Sequence, residues 1–249
     1  MKISRELIPV TGFRFGGVNI GLKNESLDFG GIVANSPCAA AAVFTKNNFP
    51  GAPVIVGRDH VADGKLQAIV VNSKNANVAT GAAGIEASRN TCLWLGEELN
   101  ISPEMILPSS TGVIGRPLDT TKIRTGCKIL ANQLGEEVEF SEKFAKAIMT
   151  TDHHPKFAHV VLEDGTKVLG IAKGAGMVEP NMATMLSYIV TDGDLNSNEL
   201  RTALQYAVNQ SFNRISIDTD TSTSDTVVLL SAGHPNTDRK DFQIALNDL

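Results

Sequence analysis

One threonine of the chain stands in an unusual setting, after two glycines and a proline. The segment KGAGMVEPNMATML spans residues 173–186 and contains Thr184. A hydroxyl is a weak nucleophile until a base takes its proton, and the sequence shows neither a G-x-S-x-G elbow nor a recognisable Ser/His/Asp arrangement. If the peptide bond between Ala183 and Thr184 were cut, the freed α-amino group, with a reference pKa of about 7.7–8.0, would be that base.

The residues before Thr184 suit such a self-cleavage. Gly174 and Gly176 permit tight backbone paths, and Pro180 fixes its own φ. Ala183 adds little bulk around the carbonyl that would be attacked. Thr184 would attack that carbonyl, move the acyl group from nitrogen to oxygen, and lose it to water. An extended segment that enters a core strand is the alternative, because NMATMLSYIV also has that pattern.

Acyl transfer also needs hydrogen-bond donors for the oxyanion that develops. The best candidate is LPSSTGVIGRPL (107–118), since Gly112 and Gly115 allow exposed N–H groups and Thr111 adds a hydroxyl. A turn that leads into a helix over 121–134 is the alternative. The turn is favoured because such clusters are often only loops, and the spacing alone does not decide between the two.

The remaining motifs predict neither a metal nor a cofactor. His153, His154 and His159 lie close together, but adjacent histidines point to opposite faces of a strand and no helical i, i+4 pair occurs, so we expect a solvated loop. The segment DTDTSTSDT (218–226) spaces its acids like a calcium loop but lacks the glycine and glutamate of an EF-hand. KGAG and FGGVNIG lack the settings of phosphate-binding loops.

Composition argues against several classes of protein. The chain has 249 residues, of which 42% are hydrophobic and 20% charged, and its formal net charge is -5. Lys and Arg are scattered, so no basic stripe predicts a nucleic-acid partner. The longest apolar stretch, CAAAAVF, is far shorter than the roughly 20 residues of a membrane helix, and no signal peptide is evident, so we expect a cytoplasmic protein without a membrane partner. The three cysteines are expected in the core, not in disulfides.

Alternating β-rich and amphipathic segments predict a mixed α/β protein that positions these candidates. The clearest helix follows Asn196, where Glu199 completes a capping box, and two more are predicted over 83–99 and 121–134. Six strands are predicted, over 53–56, 67–72, 159–162, 167–172, 186–190 and 226–230. No repeat or linker marks a domain boundary, so the most natural division is at Thr184.

At the two reactive segments the chain resembles the ornithine acetyltransferase (ArgJ) family, the bifunctional glutamate N-acetyltransferases of arginine biosynthesis. The family pattern around its cleavage site is present here as KGAGMVEPNMATML. The resemblance continues through AAVFTKN, VVNSKNANVATG, SSTGVIG, MTTD and FNRISIDTDTSTSDT, in that order along the chain.

The resemblance implies the fold and the processing. It implies a DmpA/ArgJ-like α/β sandwich that cleaves itself between Ala183 and Thr184. The products would be an α chain, 1–183, with the oxyanion loop, and a β chain of which 184–249 is the start. It also implies self-association of the α and β chains into a heterotetramer.

The resemblance also implies the chemistry. Thr184 would take the acetyl group from N-acetylornithine and pass it to glutamate through a ping-pong acyl-enzyme. Thr111 and Gly112 match the oxyanion hole, and Thr151, Lys173 and Thr184 match substrate contacts. No cofactor or metal is implied, and whether acetyl-CoA serves as a second acetyl donor is left open.

The chain departs from the family pattern at several positions. Lys74 stands where many members have glycine, Val78 and Ala79 replace Ala-Cys, and Thr219 stands where arginine-pathway members often have glycine, so the acceptor need not be glutamate. Family chains continue beyond residue 249, which predicts either a fragment or a shortened member. Two alternatives therefore stay open: an N-terminal-threonine amidohydrolase or aminopeptidase, and a truncated remnant without catalysis.

Overall fold

The computed structural model describes residues 2–174, 185–215, 221–233 and 237–249. The strands of this part of the chain are β1 (Phe13–Val18), β2 (Phe29–Phe44), β3 (Lys65–Asn72), β4 (Ile106–Ser110), β5 (Lys156–Val161), β6 (Lys167–Lys173), β7 (Leu186–Thr191) and β8 (Thr226–Ser231). Its α-helices are α1 (Ala52–His60), α2 (Gly81–Leu99), α3 (Thr120–Ala131), α4 (Val138–Ala147), α5 (Ser197–Gln210) and α6 (Arg239–Asp248).

The long strand β2 joins the two halves of the sheet. Strand order is β4-β3-β2-β8-β7-β6-β5, with β1 paired to β2. The first part of β2 pairs with β1 and β3, and Ala39–Phe44 pair with β8, after a register shift between Val33 and Cys38. We call β1, β3, β4 and the first part of β2 the N-terminal half-sheet. The rest of β2 with β5, β6, β7 and β8 is the C-terminal half-sheet.

The two half-sheets pack face to face, with helices outside them. The central core contains Ile69 and Leu107 from one half-sheet, Tyr188 and Val228 from the other, and Phe144 from α4. Helices α2 and α3 cover the outer face of the N-terminal half-sheet, and α5 and α6 cover that of the C-terminal half-sheet. The fold is thus a layered α/β sandwich, as predicted.

Most predicted elements are confirmed, and one is wrong. Helix α5 begins after Asn196, and the capping box with Glu199 is present. Helix α2 agrees with the prediction over 83–99, whereas α3 ends three residues before residue 134. The predicted strand 53–56 lies inside α1, because Pro53 fits the first turn of a helix and Val54 and Val56 are buried by packing on the sheet.

Side-chain burial confirms the expectation for the cysteines and corrects that for one histidine. Cys38, Cys92 and Cys127 are all buried and free. His153 and His154 are exposed, as expected of a solvated loop. His159, however, lies on β5 with its Nδ1 2.8 Å from the carbonyl oxygen of Glu6, because the N-terminal segment pairs with this strand.

Candidate active site

The connection between β6 and β7 contains the predicted cleavage site. Lys173, the last residue of β6, pairs with the first residue of β7, so residues 174–185 connect two antiparallel neighbours. Ala183 and Thr184 lie outside the described residues. The two ends of the connection, Gly174 and Met185, are described, and each is held by a carboxylate.

Asp225 holds the end that follows Thr184. Its Oδ1 accepts a hydrogen bond of 2.9 Å from the N–H of Met185, and the residue is fully buried just before β8. Burial raises the pKa of Asp225 to about 7, against the lowering effects of the Met185 N–H, the Ser222 hydroxyl and Lys173. Within the described ranges, Oδ2 of Asp225 has no hydrogen-bond partner.

Asp152 holds the other end. Its Oδ1 accepts from the N–H of Gly174 at 2.9 Å and pairs with Lys156, and its Oδ2 accepts from the N–H of Thr150 at 3.2 Å. The side chain of Asp152 is 1% exposed. Burial alone would raise the pKa of Asp152, but hydrogen bonds from Lys156, Gly174 and Thr150 outweigh it and lower that pKa. Thr151, a predicted substrate contact, is the exposed residue beside it.

Lys173 is a buried cation on which the charges of both carboxylates act. The residue is 3% exposed. Burial lowers the pKa of Lys173 to about 8, although the charges of Asp152 and Asp225 act in the opposite direction. A lysine in this setting is a compact point charge that can bind a substrate carboxylate.

Lys23 is a second cation of the site that the sequence did not reveal. Its Nζ donates to the carbonyl oxygens of Leu27 at 2.9 Å and Met149 at 2.7 Å. Burial lowers the pKa of Lys23, and the charge of Lys74 lowers it further, although the charges of Asp28 and Asp152 act in the opposite direction. The charge of Lys23 also lowers the pKa of Lys173, so the two lysines lie close enough for their charges to interact.

The predicted oxyanion residues follow β4 in a rigid loop. Thr111 is 2% exposed and donates its N–H to the carbonyl oxygen of Asn72 at 3.0 Å. Gly112 has a φ of 134°, and a Cβ there would lie 2.2 Å from the carbonyl carbon of Lys74. Only glycine fits this position. In the described part of the chain, no residue accepts the N–H of Gly112 or the hydroxyl hydrogen of Thr111, so both are available as donors.

The sandwich brings this loop and the β6–β7 connection to facing half-sheets. Burial raises the pKa of Tyr188 on β7, and the side chain of Ser109 on β4 acts in the opposite direction. The two hydroxyls therefore lie near each other. Neither hydroxyl makes a hydrogen bond to a described residue. Strand β4, which leads to Thr111, therefore lies across the core from β7, which begins two residues after Thr184.

The loop before Asp225 is fixed by a conspicuous segment of the sequence, AAVFTKN. The Thr45 hydroxyl donates to the carbonyl oxygen of Ser222 at 2.6 Å, and the Thr45 N–H donates to that of Asp225 at 3.0 Å. Asn47 donates through Nδ2 to the carbonyl oxygen of Thr221 at 2.9 Å. This segment thus positions Asp225.

Comparison with known proteins identifies the family. Residues 14–249 match the sequence model of the ArgJ family. The chain belongs to the ArgJ family. It is 47% identical over 244 residues to arginine biosynthesis bifunctional protein ArgJ 2 of Clostridium acetobutylicum, a match that covers 98% of this chain and 62% of that protein. The chain spans between 54% and 62% of the length of the curated ArgJ relatives that it matches.

Solved structures support the same assignment. The ornithine acetyltransferase of Mycobacterium tuberculosis, in complex with ornithine, matches with a TM-score of 0.69 and 29% identity, over 74% of this chain and 99% of that one. The L-aminopeptidase D-Ala-esterase/amidase of Ochrobactrum anthropi shares the fold, with a TM-score of 0.54 and 10% identity over 96% of this chain and 82% of that one. The predicted ArgJ-like sandwich is therefore confirmed.

Metal and membrane sites are absent from the parts of the chain that the structure describes. Those residues contain no group of three or more His, Cys, Asp or Glu side chains that could hold a metal ion. None of the described helices is long and apolar enough to cross a membrane.

Proposed function

We propose that the chain forms the acetyl-transfer site of a glutamate N-acetyltransferase in arginine biosynthesis. The site would take an acetyl group from N-acetylornithine and give it to glutamate. The observation that carries the proposal is Lys173, a buried cation at the start of the connection that contains Thr184. Both substrates have carboxylates for such a cation.

Self-cleavage between Ala183 and Thr184 would precede transfer. It gives an α chain, 1–183, and a β chain that begins at Thr184, whose α-amino group then serves as the general base. The match to the M. tuberculosis ornithine acetyltransferase is consistent with this division, since it covers nearly all of that chain but 74% of this one, a share close to that of residues 1–183.

Acetyl transfer would then proceed in two half-reactions. The Thr184 hydroxyl attacks the acetyl carbonyl of N-acetylornithine, its proton passes to the amine, and ornithine leaves with a proton on its nitrogen. The hydroxyl of Thr111 and the N–H of Gly112 donate to the oxyanion in each tetrahedral intermediate. The glutamate amine attacks the acetyl ester and restores the free threonine. No step requires a cofactor, and acetyl-CoA would serve as a second donor to the same hydroxyl.

The assembly and location follow the same proposal. The α and β chains stay associated through the sheet, because β6 before the cut and β7 after it are hydrogen-bonded neighbours. Two such pairs would form a heterotetramer in the cytoplasm, where amino-acid biosynthesis takes place.

Intact-mass spectrometry of the purified protein tests the cleavage. The wild type should give two fragments that divide between Ala183 and Thr184, and Thr184→Ala should give one uncut chain. Thr202→Ala is a matched control, because Thr202 is exposed on α5 and only donates to the carbonyl oxygen of Asn198. An uncut wild-type chain would favour the remnant without catalysis.

The acceptor separates the transferase from the hydrolase alternative. The fold shared with the O. anthropi aminopeptidase keeps an N-terminal-threonine amidohydrolase as a second candidate. Isotope-labelled N-acetylornithine should pass its acetyl group to glutamate with little free acetate. Stoichiometric release of acetate, with none on glutamate, would instead support the amidohydrolase.

A further inference from the structure

The N–H of Gly112, the proposed oxyanion donor, has a fixed peptide group on each side. On one side, the N–H of Thr111 donates to the carbonyl oxygen of Asn72 at 3.0 Å. On the other side, the N–H of Val113 donates to that of Lys74, also at 3.0 Å. The N–H of Gly112 has no acceptor within the described ranges, so these two neighbours set its direction. Both acceptors belong to residues 72–78, which we call the supporting segment.

The supporting segment runs beside the oxyanion loop as a short parallel ladder. Asn75 and Val113 form a parallel β-bridge, and the N–H of Ala76 donates to the carbonyl oxygen of Val113 at 3.0 Å. The N–H of Gly115 donates to the carbonyl oxygen of Val78 at 2.9 Å. These bonds continue the parallel pairing of β3 with β4 beyond the ends of both strands. The path of the oxyanion loop therefore follows that of the supporting segment.

The backbone of the supporting segment is strained. The described part of the chain has four non-glycine residues with a positive φ. Two of them, Lys74 at 81° and Asn77 at 50°, lie in the supporting segment, and Ala79 at 58° follows it directly. Residues with a side chain adopt this conformation at a cost in free energy, so neighbouring interactions must hold them there.

The side chain of Asn75 supplies such interactions. Its Oδ1 accepts the N–H of Asn77 at 2.7 Å. Its Nδ2 donates to the carbonyl oxygens of Arg116 at 3.1 Å and Pro117 at 3.0 Å. An N–H can only donate and a carbonyl oxygen can only accept, so the partners fix the orientation of the amide. One side chain thus connects the turn of the supporting segment to the residues that follow the oxyanion loop.

We propose that Asn75 is a positioning residue for the oxyanion site. It holds the supporting segment against residues 111–117, and this contact keeps the Gly112 N–H directed at the developing oxyanion. Asn75 acts through the backbone, so its effect should appear in the transition state and not in substrate binding. This inference rests on the role of Gly112 in the proposed function.

Two substitutions of Asn75 test the kinetic effect. Asn75→Asp keeps the acceptor for the Asn77 N–H but loses both donors, and Asn75→Ala removes all three bonds without adding a charge. Each variant should lower kcat for acetyl transfer to glutamate at least about tenfold and change KM for N-acetylornithine less than about twofold. Asn132→Ala is the matched control, because Asn132 is exposed at the end of α3 and its Nδ2 donates only to the carbonyl oxygen of Lys128.

A double variant separates positioning of Gly112 from general damage to the fold. In Gly112→Ala the N–H is already displaced, so Asn75 has no donor left to position. Addition of Asn75→Ala to Gly112→Ala should therefore lower kcat by less than about twofold more. If the two losses multiply instead, Asn75 acts independently of Gly112 and the proposal is overturned.

Amide hydrogen exchange, measured by NMR, tests the contact without any substrate. In the wild type, exchange should be slow at Val113 and Gly115, whose N–H groups donate to the supporting segment, and fast at exposed Gly112. In Asn75→Ala, exchange at Val113 and Gly115 should become at least about tenfold faster. Exchange at Val70, which is buried in β3, should not change.

The outcomes distinguish this inference from the proposal on which it rests. If both variants keep kcat within about threefold of wild type, or if exchange at Val113 and Gly115 is unchanged, Asn75 is not a positioning residue and the acetyl-transfer proposal stands. If circular dichroism shows that neither variant folds, Asn75 serves the fold as a whole and the inference is also overturned. If folded wild type transfers no acetyl group, the acetyl-transfer proposal fails and this inference fails with it.

Discussion

The two half-sheets contribute to the candidate site in different ways. The N-terminal half-sheet supplies neutral donors on a rigid loop, where Gly112 fits only without a Cβ. The C-terminal half-sheet supplies buried groups that titrate, Asp225 with its raised pKa and Lys173 with its lowered one. Substitutions that add bulk should therefore have the larger effect on activity in the N-terminal half-sheet. In the C-terminal half-sheet, changes of pH should have the larger effect.

The largest effect is expected from Gly112→Ala. The new Cβ would lie 2.2 Å from the carbonyl carbon of Lys74, and alanine is strained at a φ of 134°. Displacement of the N–H from the oxyanion should lower kcat for acetyl transfer at least about 100-fold. The shape of the pH profile should not change. Gly115→Ala is the matched control, since a Cβ at Gly115 meets nothing within 4 Å although its φ of 77° is also positive. Equal losses in both variants would contradict the role of Gly112.

The charge of Lys173 should set the pH dependence of substrate binding. The pKa of Lys173 is about 8, so the cation is present below pH 8 and lost above it. KM for N-acetylornithine should therefore rise up to about tenfold per pH unit above 8, whereas kcat changes less. Lys173→Met should show a high KM at every pH. A wild-type KM that is constant from pH 7 to 9.5 would contradict a role of the Lys173 charge in substrate binding.

Asp225 should make stability depend on pH. Its pKa is raised from 3.8 to about 7 in the folded chain, so its stabilising contribution is full below about pH 4 and is lost as pH rises through 7. Asp225→Asn removes this loss of stability. The melting temperature of the variant minus that of the wild type should therefore be about 2–4 °C larger at pH 8 than at pH 5. Thermal unfolding of both proteins at the two pH values is the measurement. If the difference in melting temperature between the variant and the wild type is the same at pH 5 and pH 8, the carboxyl group of Asp225 does not titrate as described.

The smallest effect is expected from Lys74→Gly. Lys74 is exposed and has a φ of 81°, a region that favours glycine. Relief of this strain should stabilise the fold by about 1 kcal/mol or less, equally at pH 5 and pH 8. Chemical unfolding at the two pH values gives the comparison. A gain confined to one pH would mean that the lysine charge, not the backbone, decides stability there.

Local patterns in the sequence predict most of the scaffold. The helix after Asn196 is predicted because its capping box lies within four residues. Residues 53–56 have β-branched side chains typical of a strand, yet packing against β4 and the place of Pro53 in the first turn favour the helix. Local sequence patterns therefore predict secondary structure less well where tertiary contacts determine it.

The supporting residues of the site could not be predicted because their partners are distant in sequence. Lys23 contacts Met149, and Asp225 contacts Met185, across 126 and 40 positions. No spacing rule connects such residues. The only available signal was the acidic residue directly before the strand TVVLL. Thr111, Gly112 and Lys173 were found because their motifs resemble those of a known family.

The most direct test of the central claim is to trap the acetyl group on the protein. Purified wild type is incubated with N-acetylornithine without an acceptor, quenched in acid, and analysed by intact-mass and peptide mass spectrometry. The account predicts one acetyl group on the hydroxyl of Thr184, at the start of a separate fragment, and its loss when glutamate is added. A cleaved protein without acetyl on Thr184, or with acetyl on another residue, would contradict it.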